Sequence, residues 1–250
     1  MVFKSIHAII SFLTIFPAPK STIVDIHIIA NKMYLFPVAG VIIGVIMGGL
    51  AYGISLCLQP LLLGLLITGT FIIITGVHHT DALADFADGL MAKGGIEIKH
   101  KAMRDPAVGS AGVAALVLYL AGMIIALSSF HHGIKLLTSI IAAEVIAKYV
   151  MVLQSHIGLS AWQGFSSPFT NAMKDKRKIL IATAITLPIV WFLGGGYYAG
   201  FLSLGISATI ATIILYTSNK TLGGISGDVI GASNELTRLS SLIVLSLPTL

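Results

Sequence analysis

Long apolar runs separated by short polar segments dominate the chain, and their lengths predict membrane-spanning helices. A helix needs about 20 mainly apolar residues to cross the hydrocarbon core of a bilayer. Six runs reach or approach that length, at Leu35–Leu58, Leu61–Val77, Val108–Ser129, Ile134–Gln154, Ile179–Leu193 and Tyr197–Thr217. A seventh run, Leu239–Leu250, is shorter. The pattern predicts an all-α, polytopic membrane helix bundle of six to seven spans.

The composition agrees with a chain whose main solvent is lipid. Hydrophobic residues make up 56% of the 250 positions, charged residues only 10%, and the mean hydropathy is +0.96. A soluble domain carries about 25% charged residues, so this chain could not cover a soluble surface. We therefore expect a single integral membrane domain over residues 1–250. Its N-terminal stretch Phe3–Phe16 is too short to span and would lie in the interface or re-enter.

Basic residues indicate which side of the membrane each polar segment occupies. With the N-terminus in the cytoplasm and alternating spans, the cytoplasmic segments are 1–34, 78–107, 155–178 and 218–238. They hold all of the 15 Lys and Arg residues except Lys135 and Lys148. Because basic residues collect in cytoplasmic loops, we expect a cytoplasmic N-terminus and an active site on the cytoplasmic face of the cell membrane. The same bias explains the net charge of +5, and no basic stripe with interleaved aromatic residues predicts nucleic-acid binding.

An acidic motif that runs from His78 to Gly89 is the clearest candidate site. Asp81, Asp85 and Asp88 are spaced i, i+4 and i+7, so in a helix they share one face, with His78 one turn before them. Carboxylates at i and i+4 repel each other, and a cation between them removes that repulsion. Hard oxygen ligands favour Mg²⁺ or Mn²⁺, with phosphate oxygens and water completing the octahedron. A solvated acidic loop is the alternative.

The glycine-rich segment Leu222–Glu235 is a second candidate site. Its glycines let the backbone approach a phosphate closely. On a helix that begins near Ser226 or Gly227, Asp228 and Glu235 are spaced i, i+7, and the small residues between them leave room for a ligand or a neighbouring helix. A glycine-rich packing turn is the alternative.

Two further features suggest phosphate binding. Arg104 can hold a phosphate through two hydrogen bonds, and Gly109-Ser110 opens the third predicted span, where backbone N–H groups can bind an anion. The alternative is a basic topology anchor before an ordinary helix start.

Glu144 and Lys148 stand four residues apart inside a span, which predicts either a structural ion pair or a Lys148 side chain that faces a polar cavity.

Five segments follow one another in a distinctive order: Phe12–Pro19, Phe36–Gly40, the His78–Gly89 motif, Met103-Arg104-Asp105 with Gly109-Ser110, and Leu222-Gly223-Gly224 leading to Gly227-Asp228. In these segments the sequence resembles the cobalamin synthase family, the adenosylcobinamide-GDP ribazoletransferases, and the resemblance covers nearly the whole chain. Ala82 departs from the family pattern, which usually has a glycine after the first aspartate of the acidic motif.

The resemblance implies a Mg²⁺-dependent transferase that completes the nucleotide loop of vitamin B12. In that reaction α-ribazole, or its 5′-phosphate, displaces GMP from adenosylcobinamide-GDP and gives adenosylcobalamin, or its 5′-phosphate. The candidate catalytic residues are His78, Asp81 and Asp85, with His78 or a free carboxylate as the base. The candidate Mg²⁺ ligands are Asp81, Asp85, Asp88, Asp228 and Glu235. The candidates for binding the phosphate-bearing substrate are Arg104, Asp105, Ser110, Lys148 and Asn234.

Other function classes stay open at this point. A CDP-alcohol transferase would need the pattern Asp-Gly-x-x-Ala-Arg, but Asp85 follows Ala84 here. A prenyl transferase would need two aspartate-rich motifs, and the second motif here has only Asp228. A transporter would place ionisable groups near the membrane midplane, where only Glu144 and Lys148 fit. The expected partners are small-molecule substrates and membrane lipid, and a homo-oligomer is a further alternative.

Overall fold

The computed structural model describes residues 2–20, 22, 24–130, 133–194 and 197–247. In this part of the chain the regular elements are all helical, apart from one isolated bridge between Ser160 and Ile225. The helices are α1 Val2–Leu13, α2 Ile26–Asn31, α3 Phe36–Ser55, α4 Pro60–Ile74, α5 His78–Met91, α6 Ile96–Ala102, α7 Ser110–Ser128, α8 Ile134–Ile157, α9 Ser167–Ala172, α10 Lys176–Leu193, α11 Tyr197–Leu222 and α12 Gly227–Ser246. A 3₁₀ turn, Met33–Leu35, leads into α3. The predicted all-α fold is confirmed.

Four helices of the described chain are long and apolar enough to cross a bilayer, at Met33–Ser55, Ser110–Ser128, Ile134–Ile157 and Tyr198–Leu222. Two more of the predicted spans are also helices but differ from these four. Helix α4 has only 15 residues, and α10 begins with three consecutive basic residues. Helices α4 and α5 would count as a fifth span only as a broken pair bent by 91°. We treat α5, with its three carboxylates, as lying outside the membrane-spanning segments.

Helix α8 lies at the centre of the bundle, and glycines bring α3 against its backbone. A Cβ atom at Gly40 would lie 2.8 Å from the carbonyl oxygen of Glu144, and one at Gly44 would lie 2.7 Å from the Cα of Ile141. Gly48 meets the carbonyl oxygen of Leu137 in the same way. Small residues at this four-residue spacing permit close helix packing in membranes. The stripe therefore fixes the position of α8, which carries Glu144 and Lys148.

The glycine-rich segment forms the turn between α11 and α12. Gly223 and Gly224 have positive φ angles of 75° and 150°, which glycine adopts without steric cost. A side chain at Gly224 would meet the carbonyl oxygen of Leu159 at 2.6 Å. The next residue, Ile225, donates its N–H to that same oxygen at 2.8 Å. These two glycines therefore act as a packing turn that sets the start of α12.

Helix α12 corrects the prediction for the C-terminal part of the chain. The sequence analysis placed 218–238 in a polar cytoplasmic segment, with a helix beginning near Ser226 or Gly227, and began a short seventh span at Leu239. In the structure α11 runs to Leu222. Helix α12, which carries Asp228, begins at Gly227, where the sequence predicted a helix to begin, and the Ser226 hydroxyl accepts the Val229 N–H at 3.3 Å. The prediction that this segment is polar and faces the cytoplasm up to residue 238 was wrong, because the charged residues of α12 pair inside the bundle and do not face water. Residues 248–250 of the predicted span lie outside the described residues.

A strained turn precedes the acidic motif. Val77 is a non-glycine residue with a positive φ of 67°, and Gly76 before it has φ of 68°. This left-handed region is unfavourable for a β-branched side chain. The Val77 carbonyl oxygen accepts the Asp81 N–H at 2.9 Å and the Thr80 hydroxyl at 2.8 Å. The turn thereby bends α5 away from α4 and fixes the first turn of the motif.

Candidate active site

A cavity of about 520 Å³ opens at one end of the bundle and collects residues from all four of the predicted cytoplasmic segments. Its volume lies within the range of small-molecule sites. One wall is polar and includes His78, His79, Asp81 and Asp228. The lining also includes a group of apolar side chains, namely Phe12, Phe36, Met151, Phe165 and Phe169. The cavity can therefore take a ligand that joins an apolar ring to a charged group.

The predicted acidic face exists on α5. Helix α5 starts at His78, its opposite face buries Leu83 and Phe86, and Asp81 is exposed at the cavity. Partial burial, together with the charges of Asp81, Asp228 and Asp88, raises the pKa of Asp85 to about 7. A carboxyl group that resists ionisation beside other carboxylates indicates a place where a cation would be stabilised.

Asp228 approaches the same place from α12. It lies in the first helical turn, where the Ser226 hydroxyl donates to its Oδ2 at 3.2 Å. Burial raises the pKa of Asp228, the hydrogen bond from Ser226 lowers it, and the charge of Asp81 raises it. The Arg104 guanidinium lowers the same pKa. Asp81 and Asp228, which are 147 positions apart in the sequence, thus interact at one cavity wall.

Asp88 has a different environment from the other two aspartates of α5. Its Oδ2 accepts the Gly109 N–H at 2.7 Å and its Oδ1 accepts the Gly112 N–H at 2.8 Å. The carboxylate therefore satisfies the free N–H groups at the start of α7, where a negative charge is favourable. The anion site expected at Gly109-Ser110 is thus filled by a side chain of the protein itself. Ser110 is exposed beside it.

The carboxylates at the cavity match one of the ways in which proteins bind Mg²⁺. Among the described residues, no three His, Cys, Asp or Glu side chains converge as a ready-made metal site. Mg²⁺ commonly binds through one or two carboxylates, with phosphate oxygens and waters as its other ligands. Asp81 and Asp228 on one cavity wall, with Asp85 beside them, fit that mode of binding. They do not fit a metal cage built from protein ligands alone.

A buried network of charged and polar side chains lies behind the cavity. We define it as Tyr119, Glu144, Lys148, Asn234, Glu235 and Arg238. Arg238 donates to Glu144 and, at 2.6 Å, to Oε1 of Glu235. Tyr119 donates to Glu235, and the Arg238 guanidinium lies 4.9 Å from the ring centre of Phe71. Two carboxylates and two cations balance in this network, which is how buried charges are tolerated.

Three residues predicted to bind metal or substrate belong to this network and do not line the cavity. Glu235 faces Arg238 and Tyr119, and Lys148 donates to Asn234 at 2.7 Å and to Glu144 at 3.5 Å. Lys148, Asn234 and Glu235 are at most 1% exposed. The structure therefore places Lys148, Asn234 and Glu235 in a structural network, because their polar atoms already have partners there.

Sequence reasoning missed two residues, Arg238 in the buried network and His79 at the cavity. Arg238 was assigned to a cytoplasmic loop, although its spacing of three residues from Glu235 on an apolar helix is a signal for an internal ion pair. His79 was considered only as the neighbour of His78. It lines the cavity and also contacts the buried network through Asn234.

Arg104 and Asp105 lie at a second, shallower cavity with Glu97, His100 and Lys101. The Arg104 guanidinium stacks over Trp162, 4.6 Å from the ring centre. One oxygen of Asp105 accepts the Ala107 N–H at 3.0 Å, which forms a local turn before α7. Arg104 is exposed and so can reach an anion, whereas the contact of Asp105 is internal to its own loop.

Comparisons with known proteins identify the family to which the chain belongs. The family model described as Cobalamin-5-phosphate synthase matches residues 5–246. A Methanocella arvoryzae protein named adenosylcobinamide-GDP ribazoletransferase is 31% identical, with 97% of this chain and 95% of that protein covered. Proteins of the same name from Methanosarcina barkeri (32% identical, 86% and 82% covered) and Clostridium perfringens (30% identical, 98% of both covered) also match. No solved structure matches. The chain belongs to the Cobalamin-5-phosphate synthase family.

Proposed function

We propose that this protein joins α-ribazole, or its 5′-phosphate, to adenosylcobinamide-GDP with release of GMP, giving adenosylcobalamin or its 5′-phosphate. Family membership and the shared name of the relatives support this reaction. The observation that carries it is the wall on which Asp81 and Asp228 meet beside an apolar surface within one cavity. A nucleoside that attacks a diphosphate brings both kinds of surface into contact.

The reaction is a displacement at phosphorus. A ribose hydroxyl attacks the phosphorus attached to the cobinamide, the bond from that phosphorus to the bridging oxygen breaks, and GMP leaves with this oxygen. The hydroxyl proton passes to a base, for which His78 at the cavity wall is our candidate. Positioning and charge neutralisation supply most of the catalysis in such transfers. In this proposal the apolar side chains of the lining hold the base of the nucleoside, and the acidic wall holds the diphosphate end.

We propose that Asp81 and Asp228 hold a Mg²⁺ ion against the diphosphate, with the Asp85 carboxyl beside them. When bound, this ion neutralises the charge of the phosphate oxygens and orients them. Asp88 and Glu235, also predicted as ligands, already have internal partners, so we assign both to structural roles. The charge of Arg104 lowers the pKa of Asp228, and we propose that the exposed Arg104 guanidinium holds an outer phosphate oxygen.

The membrane arrangement belongs to the same proposal. We infer six to seven spans, a cytoplasmic N-terminus and an active site that opens to the cytoplasm, because all four basic segments contribute to the cavity.

Cys57 is the one cysteine of the sequence and is exposed near the predicted outer end of α3. A membrane-impermeant thiol reagent should label it in intact cells. Glu97 is exposed, and the variant Glu97→Cys in a Cys57→Ser background should react only after permeabilisation. The reverse result would mean that the topology is opposite to the one proposed.

The reaction itself can be tested with purified protein in detergent. Adenosylcobinamide-GDP, α-ribazole and Mg²⁺ are supplied, and GMP and the cobalamin product are measured. We expect equal amounts of both products, and their loss in Asp81→Ala and Asp85→Ala but not in the exposed control Glu97→Gln. If folded protein forms no product with either form of ribazole, the proposed function is wrong.

A further inference from the structure

Asn234 connects the buried network to the cavity. It is fully buried on α12 and has three polar neighbours. Lys148 donates to its Oδ1 at 2.7 Å, and its Nδ2 donates to Oε1 of Glu235 at 2.8 Å. The same Nδ2 lies 3.3 Å from Nδ1 of His79. Asn234 therefore lies between two charged groups and an imidazole that lines the cavity.

The charged neighbours fix the orientation of the Asn234 amide. An ammonium group has only hydrogen-bond donors, and a carboxylate has only acceptors. If the amide were rotated by 180°, its NH₂ would face the Lys148 ammonium and its oxygen would face the Glu235 carboxylate. Both contacts would then be repulsive, so Lys148 and Glu235 independently require the amide nitrogen to face His79.

This orientation determines which nitrogen of His79 carries the proton. One N–H of the Asn234 amide goes to Glu235, and the other points at Nδ1 of His79. Nδ1 can accept that hydrogen bond only if it is unprotonated. The alternative acceptor for a protonated Nδ1, Oε1 of Glu235, is 3.7 Å away and beyond hydrogen-bond distance. The proton of the imidazole is therefore on Nε2.

We propose that His79 donates a hydrogen bond from Nε2 to a phosphate oxygen of the substrate, and that Asn234 is the positioning residue that holds this tautomer. His79 is 12% exposed and lines the cavity together with Asp81 and Asp228. A donor fixed beforehand toward developing negative charge is an effective form of catalysis. The inference rests on the proposed function for the identity of the acceptor, but the tautomer itself does not depend on it. The two adjacent histidines then differ in role, with His78 left as the candidate base.

The tautomer can be measured without substrate. Protein labelled with ¹⁵N-histidine is prepared in detergent, and the signals of His79 are identified by their absence in His79→Gln. We expect a protonated Nε2 and an unprotonated Nδ1. In Asn234→Asp, both side-chain oxygens are acceptors, so the proton should move to Nδ1. A wild-type His79 protonated on Nδ1 would overturn the inference, and this spectrum decides the matter even if Asn234→Asp does not fold.

The role of the donor is tested by activity. His79→Ala should lower kcat by about 10²–10³-fold, the usual effect of removing one such donor, with little change in the Mg²⁺ concentration needed for half-maximal rate. His79→Gln retains an N–H donor and should recover part of that loss. The exposed control His27→Gln should behave as the wild type. Unchanged kcat in His79→Ala would overturn the proposed contact between His79 and the substrate. If the wild type is inactive but His79 is protonated on Nε2, only the proposed function is overturned.

Discussion

The Cβ atom of Ala82 occupies the space that a side chain at Gly231 would need. A Cβ added at Gly231 would lie 2.6 Å from the Cβ of Ala82, while its next neighbours, atoms of His79, lie 3.6 Å or more away. Gly231 faces Ala82 across the contact between α5 and α12. This contact sets the separation of Asp81 from Asp228.

Gly231→Ala should therefore force α5 and α12 apart. We expect a loss of about 1–3 kcal/mol from overpacking, measured as a lower thermal midpoint in detergent, and a larger loss of activity. The double variant Ala82→Gly/Gly231→Ala exchanges the two side chains, leaves the number of helical glycines unchanged, and should recover most of the packing loss. Equal stability of Gly231→Ala and the wild type would contradict this account of the contact.

Asp81 and Asp88 should respond differently to the same substitution. Asp88→Asn leaves one N–H of α7 without an acceptor, so we expect about 1–3 kcal/mol of lost stability. Asp81→Asn should retain stability and lose activity. Thermal unfolding and GMP release in both variants separate the two roles. The assignment fails if Asp88→Asn is as stable as the wild type but inactive.

Glu235→Gln should act on folding. It leaves Arg238 with one buried partner fewer, and removing one member of a buried ion pair costs about 3–5 kcal/mol. The amount of folded protein and its thermal midpoint are the measurements, and the exposed control Glu97→Gln should change neither. In the folded fraction, the Mg²⁺ concentration for half-maximal rate should stay the same. If Glu235→Gln is stable but needs more Mg²⁺ for half-maximal rate, Glu235 belongs to the metal site.

The glycine stripe of α3 should be intolerant of any side chain. A Cβ at Gly44 meets the Cα of Ile141 on α8, whereas one at Gly49 meets nothing within 4 Å. Gly44→Ala should lower the thermal midpoint, with about 1–3 kcal/mol lost. Gly49→Ala in the same helix should leave it unchanged or raise it slightly. Similar effects of the two substitutions would show that α3 and α8 do not meet at Gly44.

The sequence predicted the local features well because they depend on spacing along a single helix. The face shared by Asp81 and Asp85 follows from 3.6 residues per turn, and the start of α12 follows from the capping residue Ser226. The identity of each helix's neighbour does not follow from periodicity. Nothing local distinguishes Asp88 from Asp81, although only Asp88 reaches the N–H groups of α7.

The burial of the charged residues of α12 was also beyond what the sequence could predict. Hydropathy treats Glu235 and Arg238 as polar and so predicts a loop around them. Two cations and two carboxylates that lie on α8 and α12 neutralise one another inside the bundle. Their burial becomes predictable only when the partners on both helices are known, because an isolated buried charge would be prohibitively costly.

We propose that Asp81 and Asp228, from two different helices, hold one Mg²⁺ against the substrate diphosphate. The most direct test measures GMP release as a function of Mg²⁺ concentration in Asp81→Asn, Asp228→Asn and the wild type. We predict that both variants need at least about tenfold more Mg²⁺ for half-maximal rate, or lose activity altogether, while remaining folded. An Asp228→Asn protein with the Mg²⁺ dependence and rate of the wild type would contradict the account.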